Sequence, residues 1–378
     1  MPDTSSFISN IEESERQYMI CNACRHCEGF CPVWDAMERR NFLEAKDIKF
    51  FSYLCHDCRD CFYACPYSEP HEFALNIPKM NSTVRYQTHS EMAWPRAASS
   101  AVNHGYLATA VIFAISIVTL FFISIAQNGF KSLFIAHTSF YNVIPYSVMD
   151  DAGLVLGFYI LIMWIIQGLS FWASIGGNRH DLLNIRSNAT SIYEVVSHKW
   201  FKGGGVGCDY PSENGTRTRM FYHSAMFFGF LSAFVATAIA AYLQRILVIS
   251  PPYSLLSGPV FFGVIGGLLM IIGGTGFLYM KNHSEKDKAD ARMLRSDYLV
   301  IVMLILVSIT GLTTLLLRSS SVMAIILIIH LSLVATLFAI VPFSKMNHIV
   351  FRYLALLKNN VEKIKMMNKG AGSVVGGN

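Results

Sequence analysis

Six apolar stretches follow one another between residues 105 and 342, at 105–126, 152–173, 221–243, 259–280, 298–317 and 322–342. About 17–25 apolar residues in a row suffice for a helix to cross the hydrocarbon of a bilayer. Lipid offers no hydrogen bonds, so a spanning segment must pair its own backbone groups, and runs of this length do so as helices. The pattern therefore predicts an all-α chain with a six-helix transmembrane bundle in the lipid bilayer. The composition agrees, with 53% hydrophobic and 15% charged residues. Glycine-dense "GVIGGLLMIIGGTGF" in the fourth stretch suits close helix packing in a membrane. A five-span count, with that stretch buried differently, is the competing arrangement.

Lys and Arg set the expected orientation. Lys131, Arg245 and Arg318 are the basic residues of the three loops on one side. The other side is far richer: the loop between spans four and five alone holds Lys281, Lys286, Lys288, Arg292 and Arg295. Both termini are then expected in the cytoplasm. The first 20 residues hold four acidic residues and no apolar signal region, which fits the same orientation. A net charge of +5, spread over loops, gives no stripe for nucleic acid.

Residues 1–96 read as a separate cytoplasmic domain, 97–348 as the membrane domain, and 349–378 as a cytoplasmic tail with a disordered end. The first domain holds "CNACRHCEGFCP" (21–32) and "CHDCRDCFYACP" (55–66). Each is C-x2-C-x2-C-x3-C-P, the ligand run of paired [4Fe–4S] clusters, in which the fourth cysteine serves the other cluster. One cluster then takes Cys21, Cys24, Cys27 and Cys65, and the other takes Cys55, Cys58, Cys61 and Cys31. Zinc needs only four ligands, and cytoplasmic thiols stay reduced, so zinc and disulfides account poorly for eight cysteines so spaced. Cys208 has no partner in spacing and reads as an unliganded thiol. The connecting "VWDAMERRNFLEAKDIKFFSYL" has no glycine or proline and reads as helix.

Ionisable residues in spans are functional candidates. His223 starts span three and His348 follows span six on the same side, which makes them the expected axial pair for a b haem. His104 could replace His223. His330 lies 18 residues before His348, five turns or about 27 Å along a straight helix. Its roles as haem ligand, as quinone or proton contact, and as buried polar packing stay open.

Several family resemblances bear on these readings. The cysteine segment resembles the α-helical ferredoxin domain of succinate dehydrogenase and heterodisulfide reductase-type proteins. "HLSLVATLFAIVPFSKMNHI" is similar to the last haem-bearing helix of the respiratory nitrate reductase membrane subunit. In that family a second helix bears two histidines about ten residues apart. His223 matches the inner one, while Ala233 stands where the outer one is expected.

The whole order, with "GGGVGCDYP", "YHSAMFFGF" and "PFSKMNH", resembles the tricarballylate/citrate-utilisation protein B family. That resemblance implies two [4Fe–4S] clusters and haem b. It further implies a partner FAD-dependent tricarballylate dehydrogenase whose flavin is reoxidised, with electrons passing to membrane quinone, so the chain would be an oxidoreductase subunit. A membrane-anchored iron–sulfur redox sensor, without quinone reduction, is the alternative.

Overall fold

The computed structural model describes residues 4–95, 105–203, 205 and 207–375. His104 lies outside the described residues. Within them the chain is all-α, with no strand and one isolated antiparallel bridge, Cys208 to Thr216.

The cysteine domain consists of α1 (Thr4–Cys24), α2 (Pro32–Glu38), α3 (Ala45–Leu54), α4 (Asp60–Tyr63) and α5 (Ile77–Met92). The segment read as one connecting helix is two, α2 and α3. The break falls at residues 39–44, where the Asp47 carboxylate accepts the Glu44 N–H at 3.2 Å and starts α3 anew. Arg40 fastens the break, donating to Asp47 at 2.5 Å and to Glu362 at 2.9 Å. Propensity alone does not foresee this, because the determining partner Glu362 is distant in sequence.

Six helices are long and apolar enough to cross a membrane: α6 (Gly105–Asn128), α7 (Tyr146–Ser174), α9 (Thr218–Arg245), α10 (Gly258–His283), α11 (Ala291–Leu316) and α12 (Met323–Ile340, with a last turn to Phe343). Each overlaps a stretch expected from sequence, the glycine-dense fourth included. Helix α8 (Ile185–Val196) lies in the long connection after α7. Along α6, Leu107, Val111, Ile115, Val118 and Phe122 are exposed. Their spacing of three and four puts them on one stripe, and an apolar stripe of that length calls for lipid cover.

Two observations show how the bundle is joined. Helices α9 and α10 touch backbone to backbone: a Cβ on Gly266 would lie 2.8 Å from both the Ala233 nitrogen and the Gly229 oxygen. At the cysteine-domain end, Phe351 stacks on Phe171 at 4.6 Å, and Tyr53 meets both rings edge-on. Such pairs add about 0.5–1.5 kcal/mol each beyond area burial. They tie α3, α7 and α13 (His348–Val375) into one core.

The segment after His348 is therefore not a loose tail. Residues 354–361 are buried against the cysteine domain, Leu356 and Leu357 almost completely. Its polar ties include Arg39 to Asn359 and Asn360 to Ser191 and Glu194. The sequence pattern hid this because every one of those partners is far along the chain.

Gly266→Ala should cost about 1–3 kcal/mol through overpacking, seen as a lower unfolding temperature of the detergent-solubilised protein. Gly157→Ala, where an added Cβ meets nothing within 4 Å, should change stability by less than about 0.5 kcal/mol.

Candidate cofactor sites: two adjoining cavities

All eight motif cysteines line one cavity between α1, α2, α4 and the turns that follow them. Burial raises the thiols of Cys21, Cys27, Cys31, Cys61 and Cys65, Cys27 and Cys31 to about 12. After burial, the strongest influence on Cys21 and on Cys27 is Cys65, and on Cys31 it is Cys55. Cys65 thus acts on cysteines of the first motif, and Cys55 on Cys31. Backbone N–H groups point at the sulfurs: Asp57 to Cys55 and Tyr67 to Cys65, both at 3.4 Å. Buried thiols held this high become thiolates when a metal supplies positive charge. Among the described residues no three His, Cys, Asp or Glu groups converge on a single-ion site. Eight thiols around a shared hollow fit multi-iron cages, whose corners are spread apart.

Cys208 is fully buried beside Cys58 and Tyr210, and its thiol donates to the Phe201 carbonyl at 3.3 Å. The glycine-rich loop containing it folds over the second motif. Gly203, at φ +54°, makes this possible: a Cβ there would sit 1.9 Å from an Asp60 oxygen. The Asp209 N–H then donates to the other Asp60 oxygen at 3.1 Å.

His223 and His348 line a second cavity, walled by α9, α10, α11 and α13. Both present the same ring nitrogen to it. His198 Nδ1 lies 3.1 Å from the Val196 carbonyl, which only accepts, so that nitrogen carries the proton and Nε2 is an acceptor. His223 Nδ1–H then donates to His198 Nε2 at 2.8 Å, and the lone pair of His223 is on Nε2. His348 Nδ1–H donates to the Lys345 carbonyl at 2.6 Å, so its Nε2 is also free. Burial, then Lys345 and Arg352, hold His348 down to about 3, neutral at pH 7. An oriented neutral imidazole whose other nitrogen is already bonded is how metal-binding histidines are prepared. His198 was not foreseen from sequence. It occupies the left-handed region at φ +50°, a conformation a non-glycine residue keeps only when its surroundings impose it.

The electrostatics of this cavity call for an anion. Arg85, Arg219, Arg352, Lys281 and Lys345 line it against two carboxylates, Asp57 and Asp297. Asp297 is already shared by Lys281 at 2.6 Å and Lys345 at 2.9 Å. Burial, then neighbouring Arg85, pull Arg352 down to about 9. Arg85 Nη2 and Arg352 Nε are buried with no partner. A haem carries two propionates, and orphaned guanidinium groups beside two prepared histidines fit it.

The two cavities share a wall. His56 and Asp57, between Cys55 and Cys58, line both. Arg219 donates to the Asp57 carbonyl at 2.5 Å and Arg352 donates to the Cys55 carbonyl. Each arginine is four residues from a histidine, in "RMFYH" (219–223) and "HIVFR" (348–352). On a helix that spacing puts both side chains on one face. This repeated pair is a sequence signal for the site that the search for histidines alone passed over.

His330 belongs to neither cavity. Its Nδ1–H donates to Thr310 Oγ1 at 3.0 Å, and its ring packs on Gly311, where a Cβ would come within 2.9 Å. Ala233, the position matching an outer haem ligand, is closed against Gly266. His137, in the loop after α6, is bonded to the Ser132 carbonyl at 2.7 Å.

The family model of citrate utilization protein B matches residues 103–369, and that of its Fer4-like domain matches residues 14–91. Citrate utilization protein B of Escherichia coli is 32% identical over 358 residues, covering 93% of this chain and 92% of that protein. No solved structure matches the chain. An iron–sulfur domain of Fer4-like type thus precedes a multi-pass membrane domain, in a single arrangement shared along nearly the full length. The chain belongs to the citrate utilization protein B family.

Proposed function

We propose that the chain is the membrane electron-transfer partner of an FAD-dependent dehydrogenase acting on tricarballylate or a related tricarboxylate such as citrate. It reoxidises the reduced flavin on the cysteine domain and delivers the electrons to membrane quinone. The protein lies in the inner membrane with the cysteine domain in the cytoplasm, where the basic loops also belong. The observation that carries this reading is the common wall of the two cavities, formed by His56 and Asp57.

Two [4Fe–4S] clusters and one b haem, when bound, exchange single electrons and so divide the electron pair of a flavin. Cys21, Cys24, Cys27 and Cys65 hold one cluster, and Cys55, Cys58, Cys61 and Cys31 hold the other. His223 and His348 would hold the haem iron through Nε2, and Arg85 and Arg352 would neutralise its carboxylates. His198 fixes the His223 ring, and the Cys55–Cys58 turn stands between the two sites. One haem is expected, because the face of α9 at Ala233 is occupied by Gly266. A redox sensor would need the clusters but neither prepared histidine.

The reading is tested with membranes containing the chain and its flavoprotein partner. Added tricarboxylate should produce a reduced b-type spectrum, and later added quinone should bleach it. His223→Ala or His348→Ala should abolish the haem signal while leaving the iron–sulfur signal. An unchanged haem spectrum in both variants would overturn the ligand assignment, and clusters without any haem would favour the sensor. For the crossed ligation, Cys31→Ser should lower iron from about eight to about four per chain. The lost electron paramagnetic resonance signal should be the one also lost in Cys58→Ala. His198→Ala should weaken haem retention about 10–100-fold, the usual effect of removing a partner of a metal-binding histidine. Haem occupancy after dilution in detergent measures it.

A further inference from the structure

We infer that the quinone binds in a cleft between α6, α7, α11 and the end of α12, at the cysteine-domain end of the bundle. This rests on the quinone reading above and adds where that substrate is held.

The cleft has a volume of about 470 Å³, within the range of small-molecule sites, and lies apart from the cysteine and histidine cavities. It continues into a groove along α7 through Tyr159 and Phe343, which line both. Val155, Phe158 and Ile162 of that groove are 67%, 61% and 53% exposed. They lie on a membrane-spanning helix, so the groove opens sideways into lipid, not water. The cleft also carries polar groups on its α6, α7 and α11 walls. Tyr106 and Tyr159 there donate to the Arg295 and Ala339 carbonyls, at 3.0 and 3.1 Å. Arg292 is held by Asp290 at 2.8 Å. The Arg295 guanidinium and the Ser296 hydroxyl hydrogen-bond to no other described residue.

A molecule with a long apolar tail and a small neutral head of two carbonyl acceptors matches this layout. The tail follows the α7 groove, and the uncommitted donors of Arg295 and Ser296 meet the head. A phosphate head would want several free cations, yet Asp290 already neutralises Arg292, leaving Arg295 alone among the described lining residues.

The position suits electron transfer. Arg295, Ser296 and Leu299 of α11 face the cleft, while Met293, Asp297 and Val300 of the same turns face the histidine cavity. One helix, about 10–12 Å across, separates the two. Two electrons originating on the partner's reduced flavin and two protons from water at this end of the bundle convert the quinone to the quinol. The quinol leaves along the groove by which the quinone came.

The test uses the full chain in nanodiscs. Irradiation with a photoreactive azidoquinone should label peptides covering 105–112, 155–163 or 292–299, and excess unlabelled quinone should suppress that label. In parallel, dithionite-reduced Ser296→Trp should be reoxidised by decylubiquinone at least about tenfold more slowly than wild type, with unchanged iron content and absorption spectrum. Label elsewhere overturns the site, as does a wild-type reoxidation rate in the variant. So does label displaced by anionic phospholipid and not by quinone. If Ser296→Trp fails to assemble, the labelling map decides alone. In those cases wild-type reoxidation by quinone leaves the functional reading standing. If quinone does not reoxidise the wild-type protein at all, the quinone reading falls and the site with it.

Discussion

Two arginines hold the turn between Cys55 and Cys58 against the end of the membrane bundle. Arg219 comes from the first turn of α9 and Arg352 from the first turns of α13, and each donates to a backbone carbonyl of that turn. Because each is one helical turn from His223 or His348, moving the turn moves the histidines as well. The Cys55–Cys58 turn and the two histidines are thereby kept in register by hydrogen bonds from two buried arginine side chains to main-chain carbonyls. The aromatic contacts of Phe351, Phe171 and Tyr53 lie just behind the same clamp and close it against water.

This clamp carries an electrostatic cost. Charges taken out of water need compensation, and an ion pair in a dry interior is stabilising only when its geometry is good. Asp297 compensates Lys281 and Lys345. Nothing comparable serves Arg85 and Arg352, each of which keeps a buried N–H without a partner. Burial likewise raises the thiols of Cys21, Cys27, Cys31, Cys61 and Cys65, which favours their protonated form unless a bound metal supplies positive charge. Both cavities therefore disfavour their empty state, and whatever binds them adds its binding free energy to folding. Assembly of the cofactors and docking of the cysteine domain on the bundle are expected to be one event.

The sequence made some of this legible and hid the rest for definable reasons. Spans are local: the composition of about twenty consecutive residues determines them, so all six were readable, even where Gly266 and Gly273 would weaken a water-soluble helix. The gathering of the eight motif cysteines around one cavity was readable because such spacing points to iron–sulfur ligands. His223 and His348 were paired by topology, and the structure brings them to one cavity. The remainder depends on partners far apart in the chain. Nothing near His198 announces that it faces His223, and nothing in residues 348–361 announces that they fill the space between α3, α7 and α8. The break at residues 39–44 likewise answers to Glu362. The Arg–His spacing of four was present in plain view, but its meaning needed the Cys55 and Asp57 carbonyls.

The far half of the bundle is closely packed. At Gly229, Ala233 and Gly266, helices α9 and α10 lie backbone to backbone, which leaves no width for a planar macrocycle on that face. His330, the remaining intramembrane histidine, spends its Nδ1 proton on Thr310 and its ring face on Gly311. A polar group satisfied in this way carries no unmet demand for a ligand. The ligands with unmet demands, the eight thiols, His223, His348 and the orphaned arginines, all gather at the cysteine-domain end. Under the proposed function, electrons confined to that end would meet a lipid-soluble acceptor there as well. That makes a lipid-facing groove beside α11, and not the opposite membrane face, the consistent place for it.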